Sequence, residues 1–223
     1  GATQSRLNNL MDMIAAVDVG TSGTKASLIR RDGLILASSY QSYETKIEGR
    51  SVEQNPNHWW EATAASLRTL RVEHPAMRPL AVALSGQMQN VILIGPEGLL
   101  APAILYSDTR AQTEAEEMNR LIGEARLREV TGNLQDASSL LAKLLWVKRN
   151  WPKVYQKAER LFVGAHDYVA WRLCRSRAAD FTTAATTGLL DLRANTWAAG
   201  LFGELGLRAD WLPELTGAEV RVG

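Results

Sequence analysis

The sequence predicts an α/β fold, a mixed sheet with packed helices. Three observations predict it. Short apolar runs open the chain, and an Asp-Gly turn signal joins two of them. Apolar stripes at helical spacing follow, bounded by Pro and Gly. Further short apolar runs then alternate with those stripes, so strands and helices share the chain from residue 13 to residue 223. The 223 residues, 46% hydrophobic and 22% charged, suffice for one large domain or two small ones.

The elements follow in order. IAAVDV (14–19), TKASLIR (24–30) and LILASSY (34–40) read as strands, with Arg31-Asp32-Gly33 as the hairpin turn between the second and third. The chain therefore opens with antiparallel strands. A helix comes next: Asn55 caps it, Pro56 suits its first position and Pro75 stops it. Trp60, Ala64 and Leu67 fall on one face of that helix, which predicts a core role for Trp60. LAVALS (80–85) reads as a buried strand. Residues 86–90 interrupt it, and VILI (91–94) resumes it up to the Gly95-Pro96-Glu97-Gly98 turn. APAILY (101–106) is a further short strand. Beyond Asp108 the pattern turns helical, with Ala111, Ala115, Met118 and Ile122 on one stripe and Gly123 as the stop. Ser138 or Ser139 starts another helix through Lys148, and 164–174 and 197–206 complete a helix-rich second half.

Bulk chemistry removes several classes of function. Net charge is +1 with no block of like charge, so nothing predicts a grip on nucleic acid or an anionic membrane. The one cysteine, Cys174, has no partner for a disulfide or a zinc site; it reads as a small buried residue, and a reducing cytoplasm is the expected location. No apolar run reaches the roughly 18 residues of a membrane span. Residues 1–12 read as a polar leader, possessing none of the layout of a signal peptide, and Met13 as the native start.

The chemistry-bearing stretch is AAVDVGTSGTKASLI, residues 15–29. An apolar strand ends in a lone acid, Asp18. A turn of Gly20, Thr21, Ser22 and Gly23 follows, then Lys25 in the next strand. Such a turn presents backbone N–H groups and hydroxyls to one point, with glycines allowing close approach, which is what a polyphosphate requires. Lys25 adds a cation if the strand register aims it there. Asp18 repels phosphate but can hold Mg²⁺ or a metal-bound water. There is no Walker Gly-Lys-Ser/Thr and no dinucleotide Gly-x-Gly. On this stretch alone a plain hairpin with polar tips fits equally well.

Other segments extend the pattern. DVGTSGTK, the helix with Trp59-Trp60, LSGQMQN, PAILYSDTR, TGN with AKLLWVKRN, HDYVAWRL and ADFTTAATTGLLD occur in an order that resembles the FGGY carbohydrate kinases, most closely their xylulose-kinase-like members. The resemblance runs from about residue 14 to the C-terminus. It implies a ribonuclease-H-like (actin-like ATPase) domain. Two such domains clasp a cleft in this family, with sugar mainly on the first and nucleotide mainly on the second. ATP and Mg²⁺ are the implied cofactors, and a small sugar, a ketose such as xylulose or a polyol, is the implied acceptor.

Carried over, Gly20, Thr21, Ser22 and Lys25 would meet phosphate, and Asp18 would orient the metal through water. Gln87, Met88 and Gln89 would contact the sugar. Where relatives read Gly-Gln-Met-His-Gly, Gln89 stands for the histidine and Asn90 for a glycine, which weakens the xylulose assignment. Asp108 and Arg110 match the family's Trp-Asn-Asp-Gly-Arg segment; Asp108 is either a sugar-hydroxyl acceptor or a helix cap, and Arg110 either touches substrate or fixes Asp108. His166 replaces a lysine and reads either as a helix cap or as a group on the sugar side of the cleft, with capping preferred. Thr182, Thr183, Thr186 and Thr187 read as interior packing. The family's general base, an aspartate in a Gly-Gly-x-Asp segment, has no match in the chain. The implied unit is thus a sugar-side domain without the nucleotide domain, inactive alone, whose uncovered face would favour a homodimer. An actin-like ATPase without a sugar, or a non-catalytic sugar-binding module, is the competing expectation.

Overall fold

A computed structural model describes residues 12–223. The leader expected over 1–12 therefore falls outside the described residues except for Asp12, whose carbonyl accepts the Arg31 N–H. The chain divides into two compact units within the span expected as one domain: residues 12–44 with Asn57–Gln87, and Thr45–Pro56 with Met88–Gly223.

In the first unit, strands Met13–Val19, Gly23–Arg30 and Ile35–Ser42 form the antiparallel meander that the Asp-Gly signal predicts, and Val82–Gly86 adds a parallel strand beside Met13–Val19. Strand alternation sends Met13, Ala15, Val17 and Val19 into the core and leaves Asp18 exposed. Gly23 is required by close approach: a Cβ there would lie 2.5 Å from the Gln41 carbonyl oxygen of the neighbouring strand. Val82–Gly86 is shorter than expected and not buried; Val82 is 45% exposed, because this strand ends the sheet order and packs on one side only among the described residues.

The helix spans Pro56–Glu73, as its Pro signals predict, but its buried face is not the predicted one. Trp59, Ala62, Thr63, Ser66 and Leu70 are buried, while Trp60, Ala64 and Leu67 are half-buried. The apolar count misplaces the stripe because Thr63 and Ser66 face inward; Thr63 is accommodated by donating its hydroxyl to the Trp59 carbonyl.

In the second unit the sheet runs Arg160–Gly164, Met88–Gly95, Ala103–Ile104, Ser51–Gln54, Lys46–Glu48. Its core gathers Val91, Leu93 and Ile104 with Met118, Leu144, Phe202 and Trp211. Helix Gln112–Ile122 buries Ala115 and Met118 and ends at Gly123, as expected. Helix Leu140–Asn150 is buried nearly all round its first turns. The strand expected over 101–106 contracts to Ala103–Ile104, since the Asp108 N–H bonds back to the Leu105 carbonyl and turns the chain. Helix Ala165–Cys174 forms as expected, but Cys174 is exposed, not buried.

Candidate functional site

Register decides what the first unit offers. Asp18 lies directly opposite Lys25, Lys25 opposite Tyr40, and Asp18 beside Ser85. Directly paired residues share a sheet face. Tyr40, Lys25, Asp18 and Ser85 thus form one exposed row across four strands. The Ser85 hydroxyl donates to Asp18 Oδ1 at 3.1 Å. The question left open for Lys25 is answered: it shares the Asp18 face.

The turn beyond Asp18 is held from behind. The Gly20 N–H donates to the Gly23 carbonyl at 3.0 Å. The Gly20 carbonyl accepts the Tyr43 hydroxyl at 2.5 Å and the Gln87 amide at 3.3 Å. Burial pushes the Tyr43 phenol up to about 12, so it remains a neutral donor. The Gln87 N–H also donates to the Val19 carbonyl at 2.9 Å. Gln87, expected at the sugar, is therefore engaged with the turn. Gly86, just before it, passes so close that a Cβ would lie 2.7 Å from the Val19 carbonyl oxygen. At the tip Ser22 is exposed, and Gly20 and Thr21 are half-buried.

Chemically, this surface offers hard oxygen donors and one ammonium at the end of a rigid strand. It fits a magnesium–phosphate ligand, since Mg²⁺ takes one or two carboxylates plus phosphates and waters. No group of three or more His, Cys, Asp or Glu side chains that could hold a metal occurs among the described residues.

The second unit carries the remaining predicted residues. Strand Val82–Gly86 ends before Gln87, and a separate strand of the second unit's sheet begins at Met88, so Met88, Gln89 and Asn90 are strand residues. Gln89 has φ 62°, a left-handed backbone unusual for a residue with a side chain. Met88 is half-buried, and the Thr186 hydroxyl lies 3.8 Å from its sulfur. Asn90 is buried and accepts the Tyr106 N–H through Oδ1 at 3.1 Å.

Asp108 corrects the expectation. Its side chain is 0% exposed. Oδ2 accepts the Val52 N–H at 2.6 Å, and both oxygens accept the Arg110 guanidinium at 2.7–3.0 Å. Its Oδ1 also accepts the Arg110 N–H at 2.9 Å. No surface is left for a sugar hydroxyl. Arg110 is held in turn by Glu53 at 2.7 Å and lies over the Trp146 ring at 4.8 Å. The reading in which Arg110 fixes Asp108 is the one that this geometry adopts.

His166 does not cap its helix: Asp167 does, accepting the Gly164 N–H at 2.8 Å. Thr183 and Thr187 are buried with bonded hydroxyls, as expected, but Thr182 is exposed.

Sequence reasoning missed Tyr43, Ser85, Glu53 and Lys143. For the first three the sequence holds no signal, since register and folding alone bring them in. Lys143 had one, a lone cation inside the apolar run 140–147. It is fully buried, and Nζ donates to the Leu105 carbonyl at 2.7 Å and the Tyr106 carbonyl at 3.3 Å. Burial pushes its ammonium down to about 8, against the pull of Asp108.

Comparison with known proteins shows the family of the chain. The family model for the N-terminal domain of the FGGY family of carbohydrate kinases matches residues 13–223. The chain is 29% identical over 211 residues to the xylulose kinase of Escherichia coli (strain K12), covering 93% of this chain and 43% of that one. It is 25% identical to the gluconokinase of Bacillus subtilis (strain 168), over 89% of this chain and 39% of that protein. The crystal structure of a xyloylose kinase from Brucella ovis superposes with a TM-score of 0.85 at 30% identity, covering 92% of this chain and 43% of that one. The chain thus spans about two fifths of the length of these relatives. Family model, relatives and fold converge: the chain belongs to the FGGY family of carbohydrate kinases, in its N-terminal domain.

Proposed function

We propose that this chain is the sugar-side part of an ATP-dependent carbohydrate kinase that moves the γ-phosphoryl of ATP to a hydroxyl of a small sugar, a ketose such as xylulose or a polyol. The observation that carries the proposal is the exposed Lys25–Asp18–Ser85 row beside a glycine-hydroxyl turn whose carbonyl is fixed by Tyr43 and Gln87. Phosphoryl transfer depends on positioning and on neutralising charge, not on covalent chemistry by the protein. Thr21, Ser22 and the turn backbone hold the β- and γ-phosphates. Lys25 offsets their charge. Asp18 holds Mg²⁺ through water, with Ser85 fixing the carboxylate. When bound, the ion supplies further neutralisation of the charge on the transferring group. Met88 and Gln89 contact the sugar, and Asn90, Asp108 and Lys143 keep their surroundings rigid.

The base that takes the sugar hydroxyl proton and the adenine pocket are assigned to the portion of the relatives that this chain does not span. The cytoplasm is the proposed location. Among the described residues no helix is long and apolar enough to cross a membrane.

The test is ATP consumption by the complete protein with a panel of pentoses, ketoses, sugar acids and polyols. Sugar-dependent turnover is expected with at least one ketose or polyol, and none from residues 1–223 alone. Sugar-independent ATP hydrolysis by the complete protein would favour the actin-like ATPase instead.

A further inference from the structure

A cluster of titratable groups in the second unit has no part in the roles above. The His166 Nε2 lies 3.4 Å from Asp167 Oδ1, 3.6 Å from Asp180 Oδ2 and 3.2 Å from the Thr183 hydroxyl. The Thr183 hydroxyl gives its single proton to Asp180 Oδ2 at 2.7 Å, so it accepts from the imidazole. Three acceptors around one ring nitrogen place a proton on Nε2. The His166 and Asp180 side chains are only 13% and 19% exposed.

This cluster is tied twice to Met88. Gly164, whose N–H is capped by Asp167, pairs in register with Met88. Helix Phe181–Thr186, whose first turn is held by Asp180, carries Thr186, whose hydroxyl donates to the Thr183 carbonyl at 2.8 Å and lies 3.8 Å from the Met88 sulfur. A Cβ on Gly164 would lie 2.5 Å from the imidazole Cε1, so there is no slack between the ring and the strand end. The residue after Met88 is Gln89, with its left-handed backbone, a conformation that persists only when its surroundings impose it.

We infer that His166 is a positioning residue for the acceptor sugar: protonated, it draws Asp167 and Asp180 together and holds Met88 and Gln89 in the sugar-binding conformation. The inference rests on the reading of Met88 and Gln89 as sugar contacts. Two carboxylates face the imidazole at ion-pairing distance, Asp167 from its own helix and Asp180 from the adjoining strand end. From helix Phe181–Thr186 the uncharged Thr183 hydroxyl faces it as well. Hydrogen bonding from His166 and Thr183 holds Asp180 well below the usual carboxylate range, while burial raises Asp167 to about 6. Above neutrality, then, both carboxylates are charged, and loss of the imidazolium leaves them facing each other uncompensated.

The experiment compares wild type, His166→Lys and His166→Gln in the complete protein between about pH 6 and about pH 8.5, the range in which histidine titrates. In the wild type the sugar KM is expected to rise with pH by roughly three- to tenfold, the scale of half to one pKa unit. His166→Lys keeps its charge and should give a flat profile at the low value. His166→Gln keeps a donor without charge and should give the high value throughout. The ATP KM should not change in any of them. A His166→Lys profile that follows the wild type, or an unchanged sugar KM in His166→Gln, overturns the inference.

A second readout needs no turnover. The methyl resonance of Met88 in ¹³C-methyl-methionine-labelled protein should titrate with the imidazole in wild type and not in His166→Lys. If no sugar is phosphorylated, the kinase reading fails on its own. The methyl titration then still decides whether His166 controls Met88, and its absence overturns that control.

Discussion

The two aspartates that the sequence places in similar company, Asp18 and Asp108, end in opposite circumstances. Asp18 is exposed and accepts one side-chain bond, from Ser85. Asp108 is sealed from solvent, and its oxygens accept two backbone N–H groups and a guanidinium. The first keeps acceptor capacity for a ligand. The second has used its capacity on the protein. An acid in a matching motif segment is therefore a catalytic candidate only when its lone pairs are still available, and burial with bonded partners is what separates the two.

The contrast can be broken first at Asp108. Asp108→Ala leaves the Arg110 guanidinium buried beside Glu53 without its main partner, and is expected to destabilise the fold by about 3–5 kcal/mol in denaturant unfolding. An unchanged midpoint would put the carboxylate outside the scaffold. Asp18→Ala should do the converse. It should lower kcat of the complete protein on the order of hundredfold, the typical cost of removing a charge-stabilising group, with sugar KM and unfolding midpoint unchanged. A kcat loss below about threefold would remove Asp18 from the chemistry, since general electrostatic roles exceed it.

Tyr43→Phe sharpens the comparison, because it touches the support of the turn and not its exposed face. It removes one of two donors on the Gly20 carbonyl and should cost about 1 kcal/mol of stability. A loss of phosphate affinity larger than the loss of stability would make Tyr43 part of the binding surface. The last comparison concerns Lys143. Its folded pKa is lowered to about 8 from 10.5, so between those values the unfolded chain binds the extra proton and stability rises with pH. Lys143→Met should remove that rise, seen as a flatter dependence of the urea midpoint on pH in that window.

The opening meander was legible because each of its signals is local. Alternation assigns the faces of residues 13–19, and Asp32-Gly33 joins the next two strands. The helix at Pro56 was legible in its ends but not its phase, since the polar Thr63 and Ser66 face inward, Thr63 by donating its hydroxyl to the Trp59 carbonyl, a feature that apolar counting ignores. The strand at Val82 reads as buried because apolar runs usually are; its exposure depends on the order of strands, which no local window contains. For the candidate site, Asp18, the glycine turn and Lys25 were legible as a motif. The engagement of Gln87 with Gly20 and the sealing of Asp108 were not, because each requires a partner far along the chain, Gly20 and Val52 respectively. The two-residue pairings Leu190–Asp191 and Thr196–Trp197 are too short to leave any periodicity.

The row Tyr40–Lys25–Asp18–Ser85 lies across strands, so its members are aligned by hydrogen-bond register and spaced at about 4.8 Å, the fixed distance between neighbouring strands. Such a ruler has no fine adjustment. Deleting or inserting one residue within 13–30 does not shift Lys25 a little relative to Asp18; it turns one of them to the opposite face along with every core residue of that strand. Single-residue length changes in these two strands should therefore be absent among functional descendants of this sequence, whereas length changes at the Arg31–Gly33 bend, which lies outside the aligned segment, should be tolerated.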